Sequence, residues 1–256
     1  MYKVDAVIFD WAGTTVDFGS FAPVRAFMEV FKEYGVEPTV DEIRKPMGML
    51  KIDHIKAMLD MPRIRKSWIS IHGAEPSKED AYAMYGIFEE KLLKILRDFT
   101  EPKPDTLRTV DKLRKMGIAI GSTTGYTDKM MSIVAPAAKD KGYNPDIWVS
   151  PDSTGQKGRP YPYMIFKNME ALELKDVHRV LKIGDTVSDI KEGKSAGVLT
   201  AGVVIGSSQM GLSREEYEAL GQEEKETLCE EVKQTFLNAG ADEVFLTLDE
   251  VIEYIA

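Results

Sequence analysis

Two aspartates close apolar runs of strand length: Asp10 follows residues 4–9, and Asp185 follows residues 180–184. Such a run ending on a carboxylate reads as a buried parallel strand, and ligands of open α/β sheets bind at the C-terminal ends of these strands. Asp10 leads into Gly13, Thr14 and Thr15, whose N–H groups and hydroxyls read as a polar nest for an anion. Asp189 stands four residues after Asp185. Paired carboxylates suit Mg2+, a hard cation that takes oxygen ligands and keeps several waters. Two more strand ends are polar: Ser122-Thr123-Thr124-Gly125-Tyr126 and the basic loop Lys157-Gly158-Arg159-Pro160-Tyr161-Pro162. Taken singly, each of these is ordinary turn chemistry, a helix cap or a solvated charge. Gathered at one sheet edge, they suit phosphoryl transfer. Asp10 then attacks phosphorus to form an aspartyl phosphate, while hydroxyls, a cation and a metal neutralise the phosphoryl charge.

The elements that must gather them can be traced along the chain. Past Pro102 and Pro104 the pattern alternates: a helix closed by Gly117, a strand over 118–122, and a helix over 128–141 with Pro136 as a kink. A short strand over 146–149, a helix over 161–172 and a strand over 180–184 follow. A helix over 188–196 and a strand over 200–205 come next. A charged helical stretch over 213–239, a strand over 244–248 and a terminal helix complete the chain. This alternation predicts an α/β fold, a doubly wound parallel sheet with a Rossmann-like core.

No residue from about 19 to 99 reads as strand. Val24, Phe27, Met28 and Phe31 share one helical face that Gly35 ends. Thr39 and Glu42 have capping-box spacing, and Pro46 and Gly48 end that short helix. Ile52, Ile55, Met58 and Leu59 continue the period, and a longer helix starts at Ser77. The expected organisation is a catalytic core over 1–19 and 100–256 with an inserted all-helical cap domain over 20–99, hinged near Gly19 and at 100–104.

A formal charge of −9 argues against nucleic acid as a partner. No run is long enough to span a membrane, and the N-terminus lacks a signal-peptide pattern. A single cysteine, Cys229, excludes internal disulfides and suits a reducing compartment, so a cytoplasmic protein is expected.

The strand ending Asp10-Trp11-Ala12-Gly13-Thr14, the Thr124 strand end, the Arg159 loop and Gly184-Asp185-Thr186-Val187-Ser188-Asp189 resemble the four motifs of the haloacid dehalogenase superfamily. Within it, Asp-Trp-Ala-Gly-Thr paired with the cap sequence from Arg44 to His54 resembles the phosphonoacetaldehyde hydrolase family, and the resemblance covers the whole chain. Phosphatases of the superfamily carry a second Asp two residues after the nucleophile, a general acid for the leaving oxygen. Here that position is Ala12. A carbon leaving group has no ester oxygen to protonate. What it needs is an acceptor for the departing electron pair, and an iminium formed between a lysine and an aldehyde is one. Lys51 is the candidate amine: Met47, Met49 and Leu50 make its neighbourhood apolar, which lowers a lysine pKa, and His54 lies on the same helical face.

The resemblance implies the remaining roles. Asp10 attacks phosphorus and ligates Mg2+, with the Ala12 carbonyl and Asp185 completing the protein ligands and Asp189 behind them. Thr124, the Gly125 backbone and Arg159 hold the phosphonate. Arg159 is preferred to Lys157 because it directly precedes Pro160. Met47, Gly48, His54 and Tyr126 shape the aldehyde end. The implied reaction is hydrolysis of phosphonoacetaldehyde to acetaldehyde and phosphate, within 2-aminoethylphosphonate degradation. The implied assembly is a homodimer through cap helices, for which Phe21, Phe27 and Phe31 offer an apolar patch.

Overall fold

The first strand, β1 (Ala6–Phe9), is buried along its length and pairs in parallel with a strand on each side. A strand so placed has no solvent face, which is why it carries no polar side chain. The computed structural model describes residues 4–255. The outermost residues of the two expected core segments, 1–3 and 256, lie outside the described residues.

From β1 the chain leaves the sheet for five helices: α1 (Phe21–Glu33), α2 (Val40–Arg44), α3 (Lys51–Leu59), α4 (Pro62–His72) and α5 (Lys78–Ile95). Among the described residues no strand interrupts them. Both expected N-caps form as reciprocal capping boxes, Thr39 with Glu42 and Ser77 with Asp80, and Gly35 follows α1 in the left-handed region (φ 76°). Helix α4 is an addition to the sequence reading. Its signals were Pro62 in the first turn and a left-handed Gly73 at its end.

The sheet resumes after the helices. Its elements are α6 (Thr106–Lys115), β2 (Ala119–Thr123), α7 (Asp128–Asp140), β3 (Ile147–Val149), α8 (Tyr163–Ala171), β4 (Val180–Gly184), α9 (Val187–Ala196) and β5 (Leu199–Val203). The charged stretch that follows is two helices, α10 (Arg214–Ala219) and α11 (Gln222–Asn238), before β6 (Glu243–Phe245) and α12 (Glu250–Ile255). All pairings are parallel, in the order β3-β2-β1-β4-β5-β6. This is the doubly wound arrangement, with the reversal of strand order beside β1.

The two crossings between sheet and helical block lie side by side. Asp17 N–H donates to Glu101 O at 3.2 Å, and Lys103 N–H donates to Thr15 O at 2.9 Å. The helical block returns over the sheet edge through the segment between α2 and α3. Gly48, at φ 87°, brings its backbone so close to the start of α9 that a Cβ there would lie 2.5 Å from Thr186 Oγ1 and 2.9 Å from Ser188 Cβ. Only glycine fits that approach.

Two expectations change. The N–H groups of Gly13, Thr14 and Thr15 do not form an anion nest. They are bonded within their own loop, to Val16 O, Trp11 O and Trp11 O at 2.8, 3.1 and 2.8 Å. Of the aromatic patch Phe21, Phe27 and Phe31 expected at a dimer contact, only Phe21 is partly exposed. Phe27 and Phe31 are fully buried, Phe27 stacking on Phe88 with centroids 4.2 Å apart. Those side chains hold the helical block together instead.

Candidate active site

Asp10 follows β1 and Asp185 follows β4, adjacent strands at the reversal of strand order. Trp11 anchors the first of these ends: its indole N–H donates to Ser122 Oγ at 2.6 Å, and its ring meets Tyr143 edge-on at 5.1 Å. Asp10, Asp185 and Asp189 present oxygens within 4.8 Å of one another, all buried. Burial, then the like charges of Asp10 and Asp189, push the Asp185 carboxyl up to about 8. Burial raises Asp10 as well, against the pull of Arg159. For Asp189 burial also opposes the charge, but Arg159 and Lys182 outweigh it and hold the carboxyl below its ordinary value. Asp10 and Asp185, whose carboxyls burial raises, fit a hard divalent cation, while Asp189 is ion-paired with Arg159 and Lys182. Gly13, at φ 86°, leaves room for this cradle. A Cβ there would collide with Asp185 Oδ2.

Beneath Asp10 lies a charged layer that the sequence reading missed. Lys182 in β4 and Glu192 in α9 are fully buried, as is Thr123 at the end of β2. Lys182 Nζ donates to Thr123 Oγ1 at 2.8 Å and pairs with Asp189 Oδ1 at 3.0 Å and Glu192 Oε2 at 3.3 Å. Arg159 joins the layer from its loop. Its Nε donates to Glu192 Oε2 at 3.0 Å, and its Nη2 reaches Thr123 Oγ1 at 3.0 Å, Asp189 Oδ1 at 3.1 Å and Asp10 Oδ1. The legible signal was a lysine inside an otherwise apolar strand. Its partners come from elements too distant in sequence to be read from it.

Above this floor, the helical block supplies Lys51, the first residue of α3 and only 7% exposed. Among the described residues no carboxylate lies within 4.0 Å of its amine. Burial lowers its pKa, Asp10 restores part, and the amine settles at about 8. The positive end of α3 works in the same direction as burial. Nζ lies 5.6 Å from the centroid of the Tyr126 ring. That phenol is kept protonated, raised well above 10 by burial and then by Asp17, Asp10 and Asp185.

His54 stands behind Lys51, fully buried and stacked on Phe27 at 3.9 Å. Its Nε2 bonds Ile43 O at 2.8 Å, and a carbonyl only accepts, so Nε2 carries the proton. Nδ1 is left as a buried acceptor without a partner. Burial and the neighbouring Lys51 hold this imidazole neutral, well below its ordinary pKa.

One cavity of about 30 Å³ joins floor and roof. Met47, Gly48 and Lys51 line it from the helical block. Asp10, Ala12, Thr124, Gly125, Tyr126, Arg159 and Asp185 line it from the sheet edge. Thr124 Oγ1 accepts from Tyr126 N–H at 3.1 Å, which leaves the hydroxyl proton for a ligand. Ser20, Pro23, Thr186 and Ser208 also reach the cavity, and the sequence reading gave them no role. His54 and Asp189 are packed behind the lining.

Residues 4–197 match the haloacid dehalogenase-like hydrolases. Over 218 residues, 85% of this chain and 81% of the relative, the sequence is 55% identical to the phosphonoacetaldehyde hydrolase of Lysinibacillus sphaericus (strain C3-41). The chain belongs to the phosphonoacetaldehyde hydrolase family. It is also 48% identical, over 97% of its length, to the bifunctional phosphonoacetaldehyde hydrolase/aminoethylphosphonate transaminase of Clostridioides difficile (strain 630), of which it spans 39%. The crystal structure of a phosphonoacetaldehyde hydrolase-like protein from Oleispira antarctica superposes with a TM-score of 0.95 at 39% identity, covering 98% of this chain and 91% of that one. In this member of the phosphonoacetaldehyde hydrolase family the position two residues after the nucleophile candidate is Ala12. Ala12 lines the cavity and offers no acid there.

Proposed function

We propose that this protein hydrolyses the C–P bond of phosphonoacetaldehyde to acetaldehyde and phosphate, through an imine on Lys51 and a phosphoryl group on Asp10. The observation that carries this is the facing pair itself. A buried lysine without a counter-ion and a buried aspartate line one cavity, and position 12 between them holds no acid. Substrate class, reaction and residue roles follow the family resemblance, and the shared cavity supports them.

The neutral amine of Lys51 adds to the aldehyde carbon, and loss of water leaves an iminium. One Asp10 oxygen attacks phosphorus. The C–P bond breaks, and its electron pair moves into the carbon chain to make an enamine, which neutralises the iminium. Water then releases phosphate from Asp10. The enamine takes a proton on carbon and hydrolyses, freeing acetaldehyde and Lys51. Thr124, the Gly125 backbone and Arg159 hold the phosphonate oxygens, and Met47, Gly48 and Tyr126 enclose the aldehyde end. The unpartnered Nδ1 of neutral His54 is the acceptor for protons shed near Lys51. Mg2+ held by Asp10, Asp185 and the Ala12 carbonyl would neutralise phosphoryl charge.

A cavity of about 30 Å³ holds little more than water. Substrate therefore enters with residues 20–99 lifted as a cap, hinged near Gly19 and at 100–104, and closure excludes bulk water from the imine. Fusion of the Clostridioides difficile relative to an aminoethylphosphonate transaminase supports a place in 2-aminoethylphosphonate degradation, since transamination of that amine yields the aldehyde. The unpaired, buried Cys229 favours a reducing cytoplasm. Assembly as a homodimer through the cap is carried by the family resemblance.

The test is borohydride reduction in the presence of phosphonoacetaldehyde, followed by peptide mass mapping. Modification at Lys51 with loss of activity is expected. Modification of no lysine would defeat the proposal.

A further inference from the structure

The helical block makes a second bridge to the sheet edge, outside the cavity. Arg44, the last residue of α2, donates from Nη1 to Gly19 O at 2.8 Å and to Ser208 O at 3.1 Å. Its guanidinium lies over the Phe21 ring, 4.9 Å from the centroid. Among the described residues no carboxylate lies within ion-pair distance of it, and its Nε and Nη2 are buried without partners. Asp185 and Asp17 act on this guanidinium through space, without a direct ion pair. Its protein bonds go to two carbonyls, one where the chain enters the helical block and one on the loop after β5.

The second carbonyl matters because of what the same residue does on its other side. Ser208 N–H donates to Asp185 Oδ2 at 2.7 Å. Ser208 is 3% exposed and lines the catalytic cavity. One residue is thus gripped from the helical block through its carbonyl and grips the carboxylate of Asp185 through its amide.

We propose that Arg44 is a positioning residue for Asp185: by fixing Ser208 from the cap, it orients the carboxylate that would hold the metal, so the cation site is complete only with the cap docked. This rests on Asp185 being a metal ligand. Outer partners that orient metal ligands are typically worth ten- to a hundredfold in affinity.

The experiment is calorimetric titration of Mg2+ into the substrate-free protein, with circular dichroism as a fold check, for the wild type, Arg44→Met and Arg44→Lys. Methionine keeps a stem against Phe21 and removes the fork. Lysine keeps the charge, reaches one carbonyl at most, and is the variant retained if methionine does not fold. Weakening of Mg2+ binding by about tenfold in folded variants is expected. Unchanged affinity with only a lowered melting temperature overturns the proposal, because a purely structural clasp would behave that way. Tighter binding in Arg44→Met with no change in Arg44→Lys also overturns it, because that is the signature of through-space charge. If the wild type itself takes up no Mg2+, the metal assignment falls, and this inference with it. Binding by the wild type and equally by both variants sinks the Arg44 role alone.

Discussion

Arg159 Nη2 is bonded to Oδ1 of Asp10, so the cation assigned to the phosphonate and the carboxylate assigned to attack it are partners before substrate arrives. The pair is buried, and Arg159 is held from behind by Glu192 through Nε. In the proposed reaction a phosphonate entering between them would give Arg159 new oxygens and release Asp10 as a nucleophile. Arg159→Lys keeps the charge but loses the planar fork that serves both partners. We expect kcat/KM to fall by about 10²-fold, measured by phosphate release, with the protein still folded. An unaffected kcat/KM would remove Arg159 from the substrate site.

The two halves of the reaction are separable. Lys51 lies on α3 and Asp10 follows β1, so each can be changed with the other intact. Asp10→Asn should abolish phosphate release yet still yield a borohydride-trapped adduct at Lys51, because imine formation needs no attack on phosphorus. Lys51→Arg should abolish both. Phosphate release persisting in Lys51→Arg would show that the carbon leaving group departs without an imine.

The pH dependence follows from the Lys51 amine, lowered from 10.5 to about 8 chiefly by burial. In the proposed reaction the free base attacks, so activity would be limited by deprotonation. At pH 7 roughly a tenth of the amine is free, against about 0.03% for an unperturbed lysine. The expectation is that kcat/KM rises about tenfold per pH unit below 8 and levels above it. Asp10 and Asp185 act to raise that pKa. A cation bound to them cancels that influence, so saturating Mg2+ should move the limb to lower pH. A flat profile between pH 6 and 8 would contradict the assignment.

The charged layer under Asp10 makes a stability prediction. Lys182 is fully buried and pairs with Asp189 and Glu192. Lys182→Met leaves three buried carboxylates, Asp10, Asp189 and Glu192, sharing Arg159, a loss of about 3–5 kcal/mol. The check is a lower urea midpoint at unchanged slope. Lys182→Met paired with Glu192→Gln should recover part of the loss, since it removes one of the unpaired charges.

Much of this protein was determined by local sequence. Apolar runs ending on Asp10 and Asp185 marked parallel strands whose ends meet, because strands buried on both faces are built mainly from apolar side chains, and the one charge inside the second run, Lys182, is held there by buried ion pairs. Capping boxes at Thr39 and Ser77 began helices where they were read, since both partners of each box lie within four residues. The pairing of Ala12 with Lys51 carried the choice of a carbon leaving group, a matter of which side chains are present rather than where they lie. Tertiary structure decided what depends on distant partners. The Gly13, Thr14 and Thr15 amides are taken up by the Trp11 and Val16 carbonyls of their own tight loop. Phe27 and Phe31 went to the interior because α5 covers them. The pairing of Arg159 with Asp10 spans 149 residues and that of Arg44 with Ser208 spans 164. A charged side chain names its chemistry in the sequence, but its counter-ion and its depth are set only when the whole chain has excluded water around it.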